Sequence, residues 1–127
     1  MNIGDIYYAN LGPGYEDRPV VVISNNRANT YSPNLTVIPL TKVLKKPRQP
    51  THTVLDAARY NLQYNSMTLS ESIQTIPKTA VRRYVSHLDD EAMRRVSETV
   101  LLAIGALAHI GSDALPGLVA TAKELDQ

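Results

Sequence analysis

Short apolar runs separated by turn residues fill the first 78 positions of the chain. The runs are rich in β-branched and aromatic side chains, as strands are, and cover residues 6–8, 20–24, 35–41, 53–55, 67–69 and 73–76. Pro39 lies inside the third run and predicts a sheet edge or a bulge there. Segments 26–31 and 56–61 are each predicted as a short helical turn. Strands this closely spaced, with no long helix between them, predict a small antiparallel, partly closed β-barrel.

The pattern becomes helical after residue 86. Three acids at positions 89–91 suit a helix N-terminus, and Asp89 is placed to cap it. Apolar residues then recur at three- and four-residue spacing, at Met93, Val96, Val100, Ile104 and Leu107. Further apolar residues at 101, 102 and 108 widen this stripe. The extra width predicts either additional core packing or a dimer interface.

A second, shorter helix is predicted near the C-terminus. Gly111 is expected to end the long helix, and Ser112 or Asp113 to cap a short one that runs through Lys123. The fold class is therefore α+β, mostly β, in one domain. Residues 1–111 form its body, and residues 112–127 form a helical extension of the same domain.

Length and composition agree with an ordinary globular domain. The chain has 127 residues, 43% hydrophobic and 20% charged, which suffices for one core without cross-links. It contains no cysteine, which excludes disulfides, thiolate metal sites and cysteine nucleophiles and favours a reducing compartment. The N-terminus lacks the layout of a signal peptide, and no apolar stretch is long enough to span a membrane. We expect a cytoplasmic protein without a membrane segment.

Positive charge is concentrated in the middle of the chain. The net charge is +1, but residues 27–95 carry eleven Lys and Arg against five acids, whereas both ends are acidic. Within this part, segment 42–48 holds four cations, a proline and no acid, as an exposed basic loop does. Such a distribution is typical of a surface that binds a polyanion.

Several kinds of catalytic site are missing from the sequence. There is no Gly-x-Ser-x-Gly motif for a hydrolase nucleophile and no glycine-rich loop followed by Lys-Ser/Thr for a nucleotide phosphate. The three histidines, at 52, 87 and 109, do not have the spacing of metal ligands. We therefore expect neither a metal ion nor a cofactor.

Arg18 is the most informative residue that is left. It precedes the apolar run of residues 19–24 and follows a turn-rich loop, and a guanidinium at a strand mouth matches the oxygens of a phosphate. The alternative is a strand-edge residue paired with Glu16 or Asp17. Thr41 ends the next long strand beside Lys42. Arg18 and Thr41 suit RNA cleavage by the adjacent 2′-hydroxyl, where a protein must orient the strand and stabilise charge on phosphorus. A guanidinium keeps its protons and cannot be the general base.

An ordered series of motifs carries a family resemblance. Its most specific part is Arg-Pro-Val-Val-Val-Ile-Ser-Asn at 18–25. The other parts are Gly-Asp-Ile-Tyr-Tyr at 4–8, the segments 29–33 and 37–41, Pro-Thr-His at 50–52, and the segments 71–78 and 86–91. In this order they resemble the MazF/PemK family of type II toxin endoribonucleases. The resemblance runs from Gly4 to about Leu107.

The resemblance implies a compact SH3-like barrel of the type shared by CcdB and MazF, assembled as a homodimer. It implies metal-independent cleavage of single-stranded RNA at a short sequence, giving a 2′,3′-cyclic phosphate and a 5′-hydroxyl. An antitoxin with a disordered C-terminal segment is expected to cover the RNA groove in the bacterial cytoplasm. Arg18 and Thr41 fall on the family's catalytic pair. The predicted RNA contacts are Tyr15 in the gating loop, Ser66, Glu71 and Ser72 at base-contacting positions, and Glu16, Lys42, His52 and Gln74.

Some residues depart from the family pattern. The gating loop is short and carries two acids, where the family has a longer Ser-Glu-Gln-Gly-Gly stretch. Ser72 replaces the usual Gln, and Gln74 and Pro77 replace Arg and Asp. These departures predict an altered RNA sequence preference with catalysis retained. The extension after residue 111 exceeds the usual family ending and is expected either to extend the dimer interface or to bind a partner.

Two alternatives to a ribonuclease remain open. The same small barrel resembles the CcdB toxins, which act by binding DNA gyrase, and the wide apolar stripe of the long helix suits such a contact. The other alternative is an inactive remnant that only binds an antitoxin, favoured by the altered loop. Arg18 and Thr41 argue for the ribonuclease, because a pure binding module does not need them.

Overall fold

The computed structural model describes residues 1–46 and 48–127, where a curled antiparallel sheet forms most of the body. The strands are β1 (Asp5–Ala9), β2 (Arg18–Val22), β3 (Asn34–Thr41), β4 (Val54–Leu55), β5 (Ser66–Thr68), β6 (Gln74–Pro77) and β7 (Val81–His87). The helices are α1 (Asn26–Tyr31), α2 (Ala57–Tyr60), α3 (Asp90–Ile104) and α4 (Leu115–Leu125). In the described residues the strands follow the order β4-β5-β3-β2-β1-β7, and β6 also pairs with β3. The mostly-β, partly closed barrel is confirmed.

Strand β3 is the centre of this arrangement. One of its edges pairs with β2, while the other pairs with β6 along residues 34–37 and with β5 at residues 40–41. Pro39 falls where the neighbouring strand changes from β6 to β5, and its carbonyl accepts a hydrogen bond from the Leu69 N–H at 2.9 Å. The predicted sheet edge or bulge at Pro39 is wrong, since β3 is a central strand that pairs with β2 in continuous register. The proline is tolerated because no ladder partner needs its missing N–H at that point.

Both faces of the sheet are buried. Successive side chains of a strand point to opposite faces, and on β2 Val21 joins one apolar cluster while Val20 and Val22 join another. Helix α3 covers the first cluster with Ala92 and Val96, which are both fully buried. The curl of the sheet thus holds the ends of β2 and β3 in fixed positions between two packed layers.

Strand β7 was not predicted from the sequence. Most of its side chains are half-buried or exposed, and only Val85 is buried, so the alternation that marks a strand is weak. Its pairing with β1 also contains two register irregularities. β7 lies at one edge of the sheet, and it takes its conformation from β1 more than from its own apolar pattern.

Helix α3 is shorter than predicted. Asp89 caps it, because its carboxylate accepts the backbone N–H of the first turn at 2.9 Å, as expected. The helix ends at Ile104 because Gly105 adopts a left-handed backbone with φ 74°. The predicted continuation to residue 111 is wrong, since Ala106–His109 forms a separate 3₁₀ turn. The apolar stripe is therefore buried only in its first half, and Ile104 is 52% exposed.

The C-terminal extension folds back onto the body of the protein. Ser112 and Asp113 lie in a 3₁₀ turn and do not cap α4, which begins at Leu115 without a side-chain cap, so the predicted cap is wrong. At the other end of α4, the backbone N–H and the Nδ2 of Asn26 donate to Asp126, each at 3.2 Å. Helix α4 is thus attached to the start of α1 by its last residues.

Candidate active site

A cavity of about 430 Å³ opens where β2 and β3 end. Its walls are the β1–β2 loop (residues 10–17), the ends of β2 and β3, and the segment between α2 and β5. Arg18 and Thr41 both line it, so the structure brings the predicted catalytic pair together. The predicted RNA contacts Tyr15, Glu16, Lys42 and Ser66 also line it.

Arg18 is held by main chain. As the first residue of β2, it lies across from the end of β3, and its Nε and Nη2 donate to the Leu40 carbonyl at 3.2 and 2.9 Å. Within the described residues, Nη1 donates no hydrogen bond to the protein. The alternative in which Arg18 pairs with Glu16 or Asp17 is wrong, because Asp17 is oriented toward Arg82, with Nε and Oδ2 3.8 Å apart. The half-buried guanidinium is oriented, yet retains donors for a ligand.

Thr41 presents a hydroxyl beside this guanidinium. It is the last residue of β3 and pairs with Met67 of β5. Its Oγ1 accepts the backbone N–H of Val43 at 3.2 Å, which fixes the side-chain rotamer. The hydroxyl hydrogen is left to donate to a substrate oxygen, since a hydroxyl has one donor besides its acceptor lone pairs.

The side chain of Asn10 organises the short loop before Arg18. Its Oδ1 accepts the Gly12 N–H at 3.0 Å, and its Nδ2 donates to the Tyr15 carbonyl at 3.4 Å and to Asp17 at 3.3 Å. Of the two loop acids, Asp17 is therefore engaged by protein donors, and Arg82 is its cationic neighbour. Glu16 is exposed at the cavity and forms no hydrogen bond or ion pair within the described residues.

The opposite wall of the cavity carries residues that the sequence did not point to. The Tyr64 ring lies under the Lys42 ammonium, with Nζ 4.9 Å from the ring centroid. Gln63 precedes it, and its Nε2 lies 3.4 Å from the Tyr64 hydroxyl. Ser66 is 4% exposed and donates its hydroxyl to the Tyr64 carbonyl at 2.8 Å, so it fixes this segment. The available signal was Tyr64 itself, an aromatic residue between Gln63 and Asn65 and outside any apolar periodicity.

A second group of predicted contacts lies outside the cavity. His52 Nδ1 is 3.0 Å from the Lys46 carbonyl, and its Nε2 is 3.0 Å from Glu71 Oε1. Ser72 ends a 3₁₀ turn next to Glu71, and Gln74 begins β6, where it is half-buried. These four residues do not share the cavity of Arg18, and their contact with RNA stays a prediction.

The contacts of His52 and Glu71 shift the pKa of both groups. The hydrogen bond to the Lys46 carbonyl raises the pKa of His52, burial opposes this, and the Glu71 carboxylate adds to the rise. For Glu71, burial raises the pKa, but hydrogen bonds from His52, its own backbone and Thr51 outweigh it, and the pKa is lowered. The pair therefore favours its doubly charged form.

The basic loop contacts this second group through the Lys46 carbonyl. Lys42, Lys45, Lys46 and Arg48 are exposed, as predicted, while Pro47 lies outside the described residues. Across residues 1–46 and 48–127, no three His, Asp or Glu side chains are grouped closely enough to hold a metal ion. In the same part of the chain, no helix is long and apolar enough to cross a membrane.

Comparison with known proteins identifies the family of this chain. The family model described as PemK-like, MazF-like toxin of type II toxin–antitoxin system matches residues 2–104. Endoribonuclease EndoA of Bacillus subtilis is 38% identical over 109 residues, which are 82% of this chain and 94% of the relative. Endoribonuclease MazF of Staphylococcus saprophyticus is 34% identical over 110 residues, 83% of this chain and 92% of the relative.

Solved structures show the same fold. An endoribonuclease from a mycobacterial species, in complex with its cognate antitoxin, superposes with a TM-score of 0.73 at 21% identity. The match covers 83% of this chain and 95% of that one. The family model spans the strands that carry Arg18 and Thr41, and the two relatives are each more than one third identical to this chain over most of its length. This protein therefore belongs to the PemK-like, MazF-like toxins of type II toxin–antitoxin systems.

Proposed function

We propose that this toxin is an endoribonuclease that cleaves single-stranded RNA in the bacterial cytoplasm without a metal ion and so arrests growth. The observation that carries the proposal is the Arg18 guanidinium, fixed by the Leu40 carbonyl beside the Thr41 hydroxyl in one cavity. Relatives at 38% and 34% identity are named endoribonucleases, which supports it. The products are a 2′,3′-cyclic phosphate and a 5′-hydroxyl, since the nucleophile is the RNA's own 2′-oxygen.

The reaction forms one bond and breaks one. The 2′-oxygen attacks the adjacent phosphorus, the bond from phosphorus to the 5′-oxygen of the next nucleotide breaks, and the departing 5′-oxygen takes up a proton from water to give the 5′-hydroxyl. Arg18 stabilises the added negative charge on the phosphate oxygens, and Thr41 donates a hydrogen bond to one of them. Of the two acids in the wall, Asp17 is engaged elsewhere, so Glu16 is the carboxylate available to accept the 2′-hydroxyl proton.

RNA is held by residues around and beyond the cavity. Tyr15, Lys42 and Ser66 contact the nucleotides beside the scissile phosphate, and the exposed cations of the basic loop attract the backbone. His52, Glu71, Ser72 and Gln74 contact bases further along the strand. Their separation from the cavity suits a substrate longer than a dinucleotide.

We propose two protein partners. One is a second copy of the chain, because the second half of the α3 apolar stripe is exposed in the protomer, with Leu102 at 50%. The other is an antitoxin with a disordered C-terminal segment, supported by the mycobacterial neighbour that was solved with its cognate antitoxin. Sedimentation of the purified chain tests the first, and co-purification with the product of the adjacent gene tests the second.

Cleavage of long RNA in the presence of EDTA tests the proposed activity. We expect defined fragments with cyclic-phosphate ends. Replacing Arg18→Ala or Thr41→Val should slow cleavage about 100-fold or more, the usual cost of removing one donor to a developing oxyanion. Arg27→Ala is the matched control, because Arg27 is an exposed arginine of α1 outside the cavity. RNA left intact across many sequences would refute the proposal, and gyrase inhibition without cleavage would favour the CcdB-like alternative.

A further inference from the structure

Aromatic side chains of this protein are unevenly distributed over its surface. All seven aromatic residues are tyrosines. Four of them are strongly exposed: Tyr15 at 68%, Tyr31 at 83%, Tyr64 at 49% and Tyr84 at 54%. Two of these four, Tyr15 and Tyr64, line the cavity of Arg18 and Thr41. Exposed aromatic rings beside a phosphate-binding group are typical of sites that hold single-stranded nucleic acid.

Tyr64 is held firmly although half of it is exposed. The segment before β5 is fixed on either side of Tyr64 by hydrogen bonds, since Asn65 Oδ1 accepts the Ala57 N–H of α2 at 2.8 Å, Ser66 donates to the Tyr64 carbonyl, and the Leu62 N–H donates to the Ala57 carbonyl at 2.9 Å. Leu62 is buried in the core below. The backbone that carries Tyr64 is therefore pre-organised, and ordering this segment on binding a ligand costs little entropy.

The surroundings of the Tyr64 ring fit a nucleotide. Lys42 Nζ lies 4.9 Å from the ring centroid, which places a cation next to Thr41 and orients it through its attraction to the ring. Gln63 adds a carboxamide, a group with both donors and an acceptor. The cavity volume of about 430 Å³ falls in the range of small-ligand sites. The Tyr64 ring can therefore contact the face of a base, the Gln63 carboxamide can contact its edge, and the Lys42 ammonium can contact a phosphate.

We propose that Tyr64 stacks on the nucleobase of a nucleotide next to the scissile phosphate, with Gln63 contacting the edge of that base. Lys42, held over the same ring, contacts the backbone phosphate of this nucleotide. The inference rests on the proposed ribonuclease function and names one part of its specificity. A stacking platform accepts any base, because every base has a π-face, and the Gln63 carboxamide supplies the preference among bases.

Binding of an uncleavable oligonucleotide tests the stacking role. The probe is a fluorescent single-stranded RNA that contains the cleavage sequence, with a 2′-deoxy nucleotide at the cleavage position. We expect Tyr64→Ala to weaken binding about tenfold or more and Tyr64→Phe to keep nearly all affinity, because stacking needs the ring and not the hydroxyl. Tyr31→Ala is the matched control, since Tyr31 is a more exposed tyrosine outside the cavity.

An abasic scan of the same probe provides a test that does not depend on a variant's folding. One abasic position next to the cleavage site should weaken binding to the wild-type protein by the same factor as Tyr64→Ala. When Tyr64→Ala binds the abasic probe, the two losses of affinity should not add, because each change removes the same contact. Fully additive losses would overturn the proposal, and so would unchanged RNA binding by Tyr64→Ala. The second outcome counts against the proposal even if the variant has lost antitoxin binding.

The two proposals fail in different ways. If the wild-type protein cleaves RNA and Tyr64→Ala cleaves and binds the same RNA equally well, only the stacking proposal is wrong. If the wild-type protein cleaves no RNA in EDTA, the ribonuclease proposal is wrong and the stacking proposal is wrong with it.

Discussion

At His52, both ring nitrogens face oxygen atoms that accept hydrogen bonds. Nδ1 faces the Lys46 carbonyl and Nε2 faces the Glu71 carboxylate. A neutral imidazole has only one N–H, so the ring satisfies both acceptors only when it is protonated. Only 8% of the His52 side chain is exposed, which lessens screening of its charge by solvent. The hydrogen bonds of the pair are therefore complete only when it is an ion pair.

This geometry predicts a pH dependence of stability. The His52 pKa is raised in the folded protein, so its contribution is complete below the ordinary value of 6.5 and is lost as pH rises through the higher folded pKa. The Glu71 pKa is lowered, so its contribution is complete above the ordinary value of 4.5 and is lost as pH falls through the lower folded pKa. His52→Gln should therefore lower the urea midpoint most between these two values, and the difference should shrink above neutral pH.

Exposed His109 offers a matched control for this titration. His109→Gln makes the same exchange at an exposed position, so its urea midpoint should stay close to the wild-type value. A His52→Gln deficit that stays constant from pH 5 to pH 8 would show that the ring acts by packing and not by charge.

Sequence motifs predicted the candidate site residues more readily than the groups that hold them. Arg18 and Thr41 were predicted from residue type and motif order, and they do line one cavity. The anchor of Arg18 was not predicted, because it is the main-chain carbonyl of Leu40 and every residue has such a carbonyl. Tyr64 was missed as well, since its proximity to Lys42 arises only when β3 and β5 pair.

The connection between β1 and β2 determines how the acids near Arg18 are arranged. Asn10 closes the loop with three hydrogen bonds, and Arg82 of β7 approaches Asp17 from the neighbouring strand. Because β7 pairs with β1, an edge strand far along the sequence brings Arg82 to Asp17, which lines the cavity. Arg82 thus offsets a carboxylate that would otherwise repel the phosphate of the proposed RNA substrate.

A charge-rescue experiment tests this role of Arg82. Arg82→Gln should weaken RNA binding by about two- to fivefold, which is the range for one exposed charge pair. The rate at which bound RNA is cleaved should change little. Asp17→Asn in the same chain should restore affinity, since it removes the carboxylate that Arg82 offsets. If Arg82 contacted RNA directly, Asp17→Asn would not restore the affinity. Arg27→Gln is the control for a general loss of positive charge.

The elements of the first 78 residues were easier to predict than those that follow. β1 to β6 each carry β-branched or aromatic residues between clear turn signals, and all six coincide with predicted strands. β7 has little buried apolar surface, so its strand conformation comes from pairing with β1. The end of α3 was misplaced because Gly105 lies within an apolar stripe that continues beyond it.

At the scale of the molecule, the chain extends beyond the part that its family shares. The family match ends at residue 104, near the end of α3, and α4 lies entirely beyond it. Helix α4 joins the body through the two Asn26 hydrogen bonds to Asp126, next to a shallow pocket that includes Ile3, Ala122 and Leu125. None of these residues lines the cavity of Arg18.

Deleting residues 112–127 should separate stability from activity. We expect cleavage of RNA to continue at the wild-type rate, while the free energy of unfolding falls by about 1 kcal/mol, or about 4 °C in Tm. Calorimetry and an RNA cleavage assay on the same preparation measure both. Asp126→Ala should give only part of the loss in Tm, because it keeps the apolar contacts of α4. A deletion variant that folds but no longer cleaves would make the extension part of the active enzyme.

The main-chain anchor of Arg18 has a consequence for how this toxin can be inactivated by mutation. No substitution at position 40 removes the carbonyl that orients the guanidinium, short of disrupting β3. In a selection for cells that survive expression of the chain, single escape mutations should recur at codons 18 and 41, whereas apolar exchanges at codon 40 should leave the toxin lethal. The position most important for orienting the guanidinium would then look dispensable in a genetic map, because the backbone provides the contact.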